Sequence, residues 1–198
     1  MFRYSKPVRT IGVTKRSNYR DYRQQLRLDF NRRCGYCDSR EDIASIGNAQ
    51  YHIDHFAPRK RFPLLENEYS NLVYACSRCN IAKSDDWVSD SATQTIVDDN
   101  GYLDPCSDEF SECFDRDSNG NIIGCTPVAI YMIKKLKLFR IEYGIVWSLE
   151  QIDNVMDKLE SVVSKYSSSL DAGRWNQLWN VYTQGRSIQN KLKSYFFK

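Results

Sequence analysis

No apolar run in this chain of 198 residues approaches the roughly 20 residues that a membrane-spanning helix needs. Mean hydropathy is -0.59, which argues the same way. The first residues, from Met1 to Pro7, carry no hydrophobic segment followed by small residues, so a secretory leader is not expected and a cytoplasmic location is. Internal repeats and low-complexity tracts are also missing. Histidine is scarce, with only His52 and His55. What remains is ordinary for a soluble globular protein: 41% apolar and 27% charged residues, enough for one domain with a core or a small module with a helical extension.

Acidic residues are scarce at the front, where eleven lysines and arginines within residues 1–40 face only Asp21, Asp29 and Asp38. The net charge is only +3, so this asymmetry carries more information than the sum. Clustered cations attract a polyanion by releasing its counterions, and a solvated helix face is the plainer explanation of the same run.

Residues 1–16 show no period and read as an extended arm, free to order on a partner. Ser17 and Asn18 offer N-caps for a helix to about Arg33, with Tyr19, Tyr22, Leu26 and Phe30 as its apolar stripe. Residues 51–56 and 71–75 predict two short strands, with a helical turn over residues 80–86. Residues 117–121 read as a turn between Phe114 and Ile122. Thr126 and Pro127 open a helix, and Ser148 with Gln151 predicts a capping box for a second. A third helix is expected from Asp171 toward Phe197, with Trp175, Leu178, Trp179, Tyr182, Ile188, Leu192 and Phe196 on its core face and Gly185 as an interruption.

Seven cysteines in a reducing compartment favour metal ligands over disulfides. Cys34 and Cys37 are separated by two residues, as are Cys76 and Cys79. Doubled knuckles of that spacing predict a closed four-sulfur zinc site that is structural, since no coordination position stays open. Cys106, Cys113 and Cys125 lack the spacing and read as small core residues.

Between the knuckles lie the groups that phosphodiester hydrolysis needs. A neutral imidazole at His55 can take a proton from water. Asp54, its neighbour on a strand, points to the other face and with Asn80 could hold a hard divalent cation, Mg²⁺ or Mn²⁺. Asn71 can pin the loop that carries His55. Lys83, Arg59, Lys60 and Arg61 are candidates to meet phosphate oxygens.

These pieces resemble the HNH endonucleases: Cys34 and Cys37, then Ile53-Asp54-His55-Phe56 with Pro58, Asn71-Leu72-Val73, Cys76 and Cys79-Asn80, and Lys83-Ser84-Asp85. The resemblance implies a ββα-metal core braced by zinc, His55 as general base, Asn71 as the middle asparagine, Asn80 in place of the last histidine and Asp54 as the first metal ligand. It implies DNA cleavage to 5′-phosphate and 3′-hydroxyl ends. Asp104-Pro105, Phe114, Gly120, Ile122 and the Leu136 to Arg140 segment are similar to HNH nucleases of bacterial anti-phage systems, including the Septu type that works beside an ATPase. His52 is not required by the pattern, which leaves its ring to touch DNA, the cation or neither.

The expectation is therefore an α+β protein with a zinc-braced ββα-metal core embedded among helices and a helical C-terminal third. Its parts would be a basic arm and helix at 1–33, a nuclease core at 34–125 and a helical region at 126–198. The alternative is a zinc-dependent module that binds nucleic acid without cutting it. Neither reading sets the oligomeric state.

Overall fold

The alternating run before Phe56 and the uninterrupted apolar run after Asn71 pair as antiparallel strands in the computed structural model, which describes residues 2–42, 50–166 and 171–194. Strand β1 (Tyr51–His55) and strand β2 (Leu72–Cys76) align Tyr51 with Cys76 and His55 with Leu72. All of β2 is buried, and each large side chain there adds about 2 kcal/mol of apolar burial. Helix α1 (Arg23–Asp29) packs on β2 after a 3-10 turn at Tyr19–Tyr22, whose start is capped by Asn18 accepting from the Arg20 N–H at 3.0 Å. Tyr22, Leu26 and Phe30 are buried as the stripe predicts. The helix stops well short of Arg33, because Asn31 and Arg32 take left-handed φ values of 54° and 57° and turn the chain into the first knuckle.

Helix α2 (Ser77–Lys83) follows β2 directly, so the expected helical turn begins three residues early. The short pair β3 (Ile96–Val97) and β4 (Asn100–Gly101) follows, then helix α3 (Asp108–Cys113). Strands β5 (Phe114–Arg116) and β6 (Ile122–Gly124) form the hairpin predicted around residues 117–121. Helix α4 (Pro127–Leu136), capped by Thr126, buries Val128, Ala129, Met132 and Leu136 in the same core as the strands. The chain is thus α+β, with small antiparallel sheets and long helices toward its C-terminal end.

Two units divide the chain, Met1–Gly144 and Ile145–Lys198. The N-terminal arm does not wait for a partner. Phe2 packs at a tilt against Phe110 and Phe114, and Arg9 donates to the Leu72 carbonyl at 3.1 Å and pairs with Asp104 at 2.7 Å. Helix α5 (Ile141–Tyr166), which starts in the first unit and continues into the second, runs straight through Ser148, so no helix starts at the expected capping box. Helix α6 (Ala172–Ser194) is continuous through Gly185, whose missing Cβ leaves room for the Met156 sulfur, 2.7 Å from where it would stand. Trp175 and Trp179 are 39% and 61% exposed and line an apolar groove with Leu159 and Val163 rather than filling a core. A core face there requires more neighbours than one facing helix supplies. Phe196 and Phe197 lie outside the described residues. No helix among those described is long and apolar enough to cross a membrane.

Candidate active site and metal centre

Cys34 and Cys37 sit on a knuckle tied to β2 by the Gly35 N–H, which donates to the Tyr74 carbonyl at 2.8 Å. Cys76 ends β2 and Cys79 lies in the first turn of α2, so a strand-to-helix junction presents the second pair. All four sulfurs are buried and lie within 4.8 Å of one another, with Cys37 and Cys76 3.8 Å apart. A tetrahedral zinc with Zn–S bonds near 2.3 Å separates its sulfurs by about 3.8 Å, so the group suits a structural zinc. Burial pushes the Cys34 and Cys79 thiols up; at Cys37 burial is outweighed by the neighbouring thiols and Ser39, which pull it down. Among the other cysteines, Cys106 and Cys113 are half-buried and pack against the core, whereas Cys125 is exposed and does not fill it as expected.

A cavity of about 670 Å³ runs beside β1, lined by Asp54, His55, His52 and Ile53 from the strand, Asn80 and Ile81 from α2, and Tyr19, Arg20 and Arg23 from the N-terminal segment. His55 Nε2 lies 2.9 Å from the Glu66 carbonyl. A carbonyl only accepts, so Nε2 carries the proton and Nδ1 of the neutral ring has a bare lone pair. Burial lowers the His55 pKa below its ordinary value, against the upward pull of the Glu66 carbonyl and Asp54, which keeps the ring neutral near pH 7. Tyr19 packs edge-on against the imidazole with centroids 4.7 Å apart.

Asn71 joins the loop after β1 in both directions: its Oδ1 accepts from the Ala57 N–H at 2.8 Å and its Nδ2 donates to the Ala57 carbonyl at 3.0 Å. Its backbone carbonyl accepts from the Phe56 N–H at 2.8 Å, extending the strand pairing beyond His55. Asp54 is buried, with Oδ2 accepting from Tyr36 Oη at 2.5 Å and lying 3.4 Å from Lys83 Nζ. Burial raises the Asp54 carboxyl, opposed by Lys83 and by the Tyr36 hydrogen bond. No protein hydrogen bond reaches its Oδ1 among the described residues.

Of the four basic residues expected at phosphate, the structure brings two near the cavity. Arg59 lines it while paired with Glu66 at 2.7 Å, and Lys60 is exposed, 3.6 Å from Asp85. Arg61 is instead spent on the Trp87 and Ser89 carbonyls and on Asp90. Lys83 is 0% exposed, donates to the His55 carbonyl at 2.8 Å and faces Asp54, so it cannot reach a strand of DNA as expected. Its hydrophobic stem and the need for a counter-ion to Asp54 draw it inward. Sequence reasoning missed Tyr19, Arg20 and Arg23 at the cavity and Tyr36 at Asp54. Arg20 and Arg23, three residues apart and off the apolar stripe, were the signal available for the first group.

A strand pair followed by a helix, clamped by four cysteines and open beside β1, defines a ββα unit with a group suited to structural zinc. Residues 34–86, which contain this unit, match the sequence model of the HNH endonuclease family. That span is about a quarter of the chain. A search of the curated proteins found no match.

Proposed function

We propose that the chain is a metal-dependent DNA endonuclease. The observation that carries this reading is the His55 ring, fixed through Nε2 on a backbone carbonyl, with Nδ1 bare and a carboxylate and an amide in the same cavity. His55 Nδ1 takes a proton from water as the oxygen attacks phosphorus; the bond from phosphorus to the 3′ oxygen breaks, and solvent supplies that oxygen's proton. Asp54 through Oδ1 and Asn80 through its amide oxygen would hold Mg²⁺ or Mn²⁺, which when bound neutralises charge on the phosphoryl and leaving oxygens. Asn71 fixes the loop after the base. Lys83 and Tyr36 orient Asp54. Arg20, Arg23, Arg59 and Lys60 supply positive charge along the cavity for the sugar-phosphate backbone.

Supercoiled plasmid incubated with the zinc-loaded protein tests this. Nicking with Mg²⁺ or Mn²⁺, abolished by a chelator and leaving 5′-phosphate and 3′-hydroxyl ends, is the expected result. A gel shift with DNA that stays intact in both cations replaces it with the reading of a binding module that does not cut. The resemblance of residues 104–140 supports a place in anti-phage defence beside an ATPase; loss of phage protection on His55→Ala and co-purification with an ATPase partner are its expected signs.

A further inference from the structure

His52 is one of only two histidines, and the catalytic proposal leaves it without a role. Positions 52 and 54 of β1 share one face of the strand, about 7 Å apart along it. Helix α2 runs alongside that strand in the same direction. At its start the Ser77 N–H donates to the Gln50 carbonyl at 2.6 Å, and at its end Lys83 reaches the His55 carbonyl and Asp54. Asn80 stands one turn before Lys83 on the same helix face, which puts it beside the middle of β1, between positions 50 and 55. Asn80, His52 and Asp54 all line the one cavity. Opposite His52 the partner strand offers only Ala75, and neither ring nitrogen has a protein hydrogen bond among the described residues.

We infer that His52 is the third protein ligand of the cation held by Asp54 and Asn80, and that the site therefore prefers first-row transition cations to Mg²⁺. This rests on the nuclease reading above. One imidazole nitrogen with two oxygens is a donor set that suits the softer ions, whereas Mg²⁺ takes oxygen and sheds its water reluctantly. Mn²⁺, the hardest of the first-row series, is the most stringent probe of the preference. A carboxylate and an amide alone would not favour it.

The test is Mn²⁺ binding to the full, zinc-loaded chain, followed by the electron paramagnetic resonance of free Mn²⁺, with Mg²⁺ as competitor and pulsed spectra read for imidazole nitrogen coupling. His52→Ala is expected to weaken Mn²⁺ by about 10-fold or more, to leave Mg²⁺ within about 3-fold, and to remove the nitrogen coupling. His52→Gln, which offers oxygen instead, keeps Mg²⁺ binding and loses the Mn²⁺ preference. Unchanged zinc content and circular dichroism establish that each variant, Asp54→Asn included, is folded. If His52→Ala retains Mn²⁺ affinity and coupling while Asp54→Asn loses the ion, the role of His52 is overturned and the nuclease reading stands. If Asp54→Asn also binds normally, the cation assignment of the nuclease reading falls with it. Equal losses of Mn²⁺ and Mg²⁺ in His52→Ala overturn the preference.

Discussion

Lys83 is the residue whose position changes the account most. A fully buried ammonium beside a buried carboxylate is a pair in which each charge is tolerable only because of the other. Lys83→Met leaves Asp54 without its cation and is expected to cost about 3 kcal/mol in urea denaturation of the zinc-loaded protein. The double variant Lys83→Met with Asp54→Asn should recover most of that loss; a single variant as stable as wild type contradicts the pairing. Spacing placed Lys83 near the site but could not give its direction, because a lysine at the end of a helix serves equally as a solvent cation or as a buried counter-ion. Asn71 was more legible. An asparagine just before an apolar strand has few local partners, and the structure puts its amide on the Ala57 backbone.

At the scale of elements, the two strands and the knuckles were readable because apolar alternation and doubled cysteine spacing are local signals. The ends of helices were not. Helix α5 passes through a sound capping sequence because the residues on both sides continue the apolar face, and burial of Val146, Leu149 and Met156 outweighs one cap. Gly35 sits where a side chain has no room. A Cβ there would stand 2.8 Å from both Phe30 Cε1 and Val73 Cγ1, in the buried contact between α1's end and β2. Gly35→Ala is expected to displace the knuckle and to weaken zinc retention against a competing chelator by about 10-fold or more; retention equal to wild type contradicts that packing. Asp86, after α2, joins this region to α4. Burial alone would raise its carboxyl, but hydrogen bonds from Tyr102, Lys135 and Tyr131 outweigh it and hold it below the ordinary range. A depressed carboxyl stabilises the fold above its unfolded pKa and loses that contribution as pH falls through the folded value. Asp86→Asn should therefore lower stability near neutral pH and flatten its decline below about pH 4, measured by thermal melting across that range.

For the whole molecule, the sequence disclosed the α+β class but not which elements share a core. Helix α4 belongs with the strands because its apolar face enters their core, a long-range fact that no local period encodes. The arginines at the front pointed to a polyanion; only the fold brings Arg20 and Arg23 to the cavity beside His55. Because four buried sulfurs tie the knuckle before β1 to the junction of β2 and α2, stripping zinc is expected to unfold the ββα unit and to abolish the proposed cleavage, with circular dichroism and activity falling together. Activity that survives complete zinc removal contradicts this bracing.

The most direct measurement is the single-turnover cleavage rate of DNA by wild type and His55→Ala, compared at saturating Mn²⁺ and equal zinc content. On the nuclease reading proposed above, His55→Ala is expected to slow cleavage by about 100-fold or more while DNA binding stays near wild type. Equal rates in the two proteins would contradict the assignment of His55 and, with it, the chemistry of the cavity.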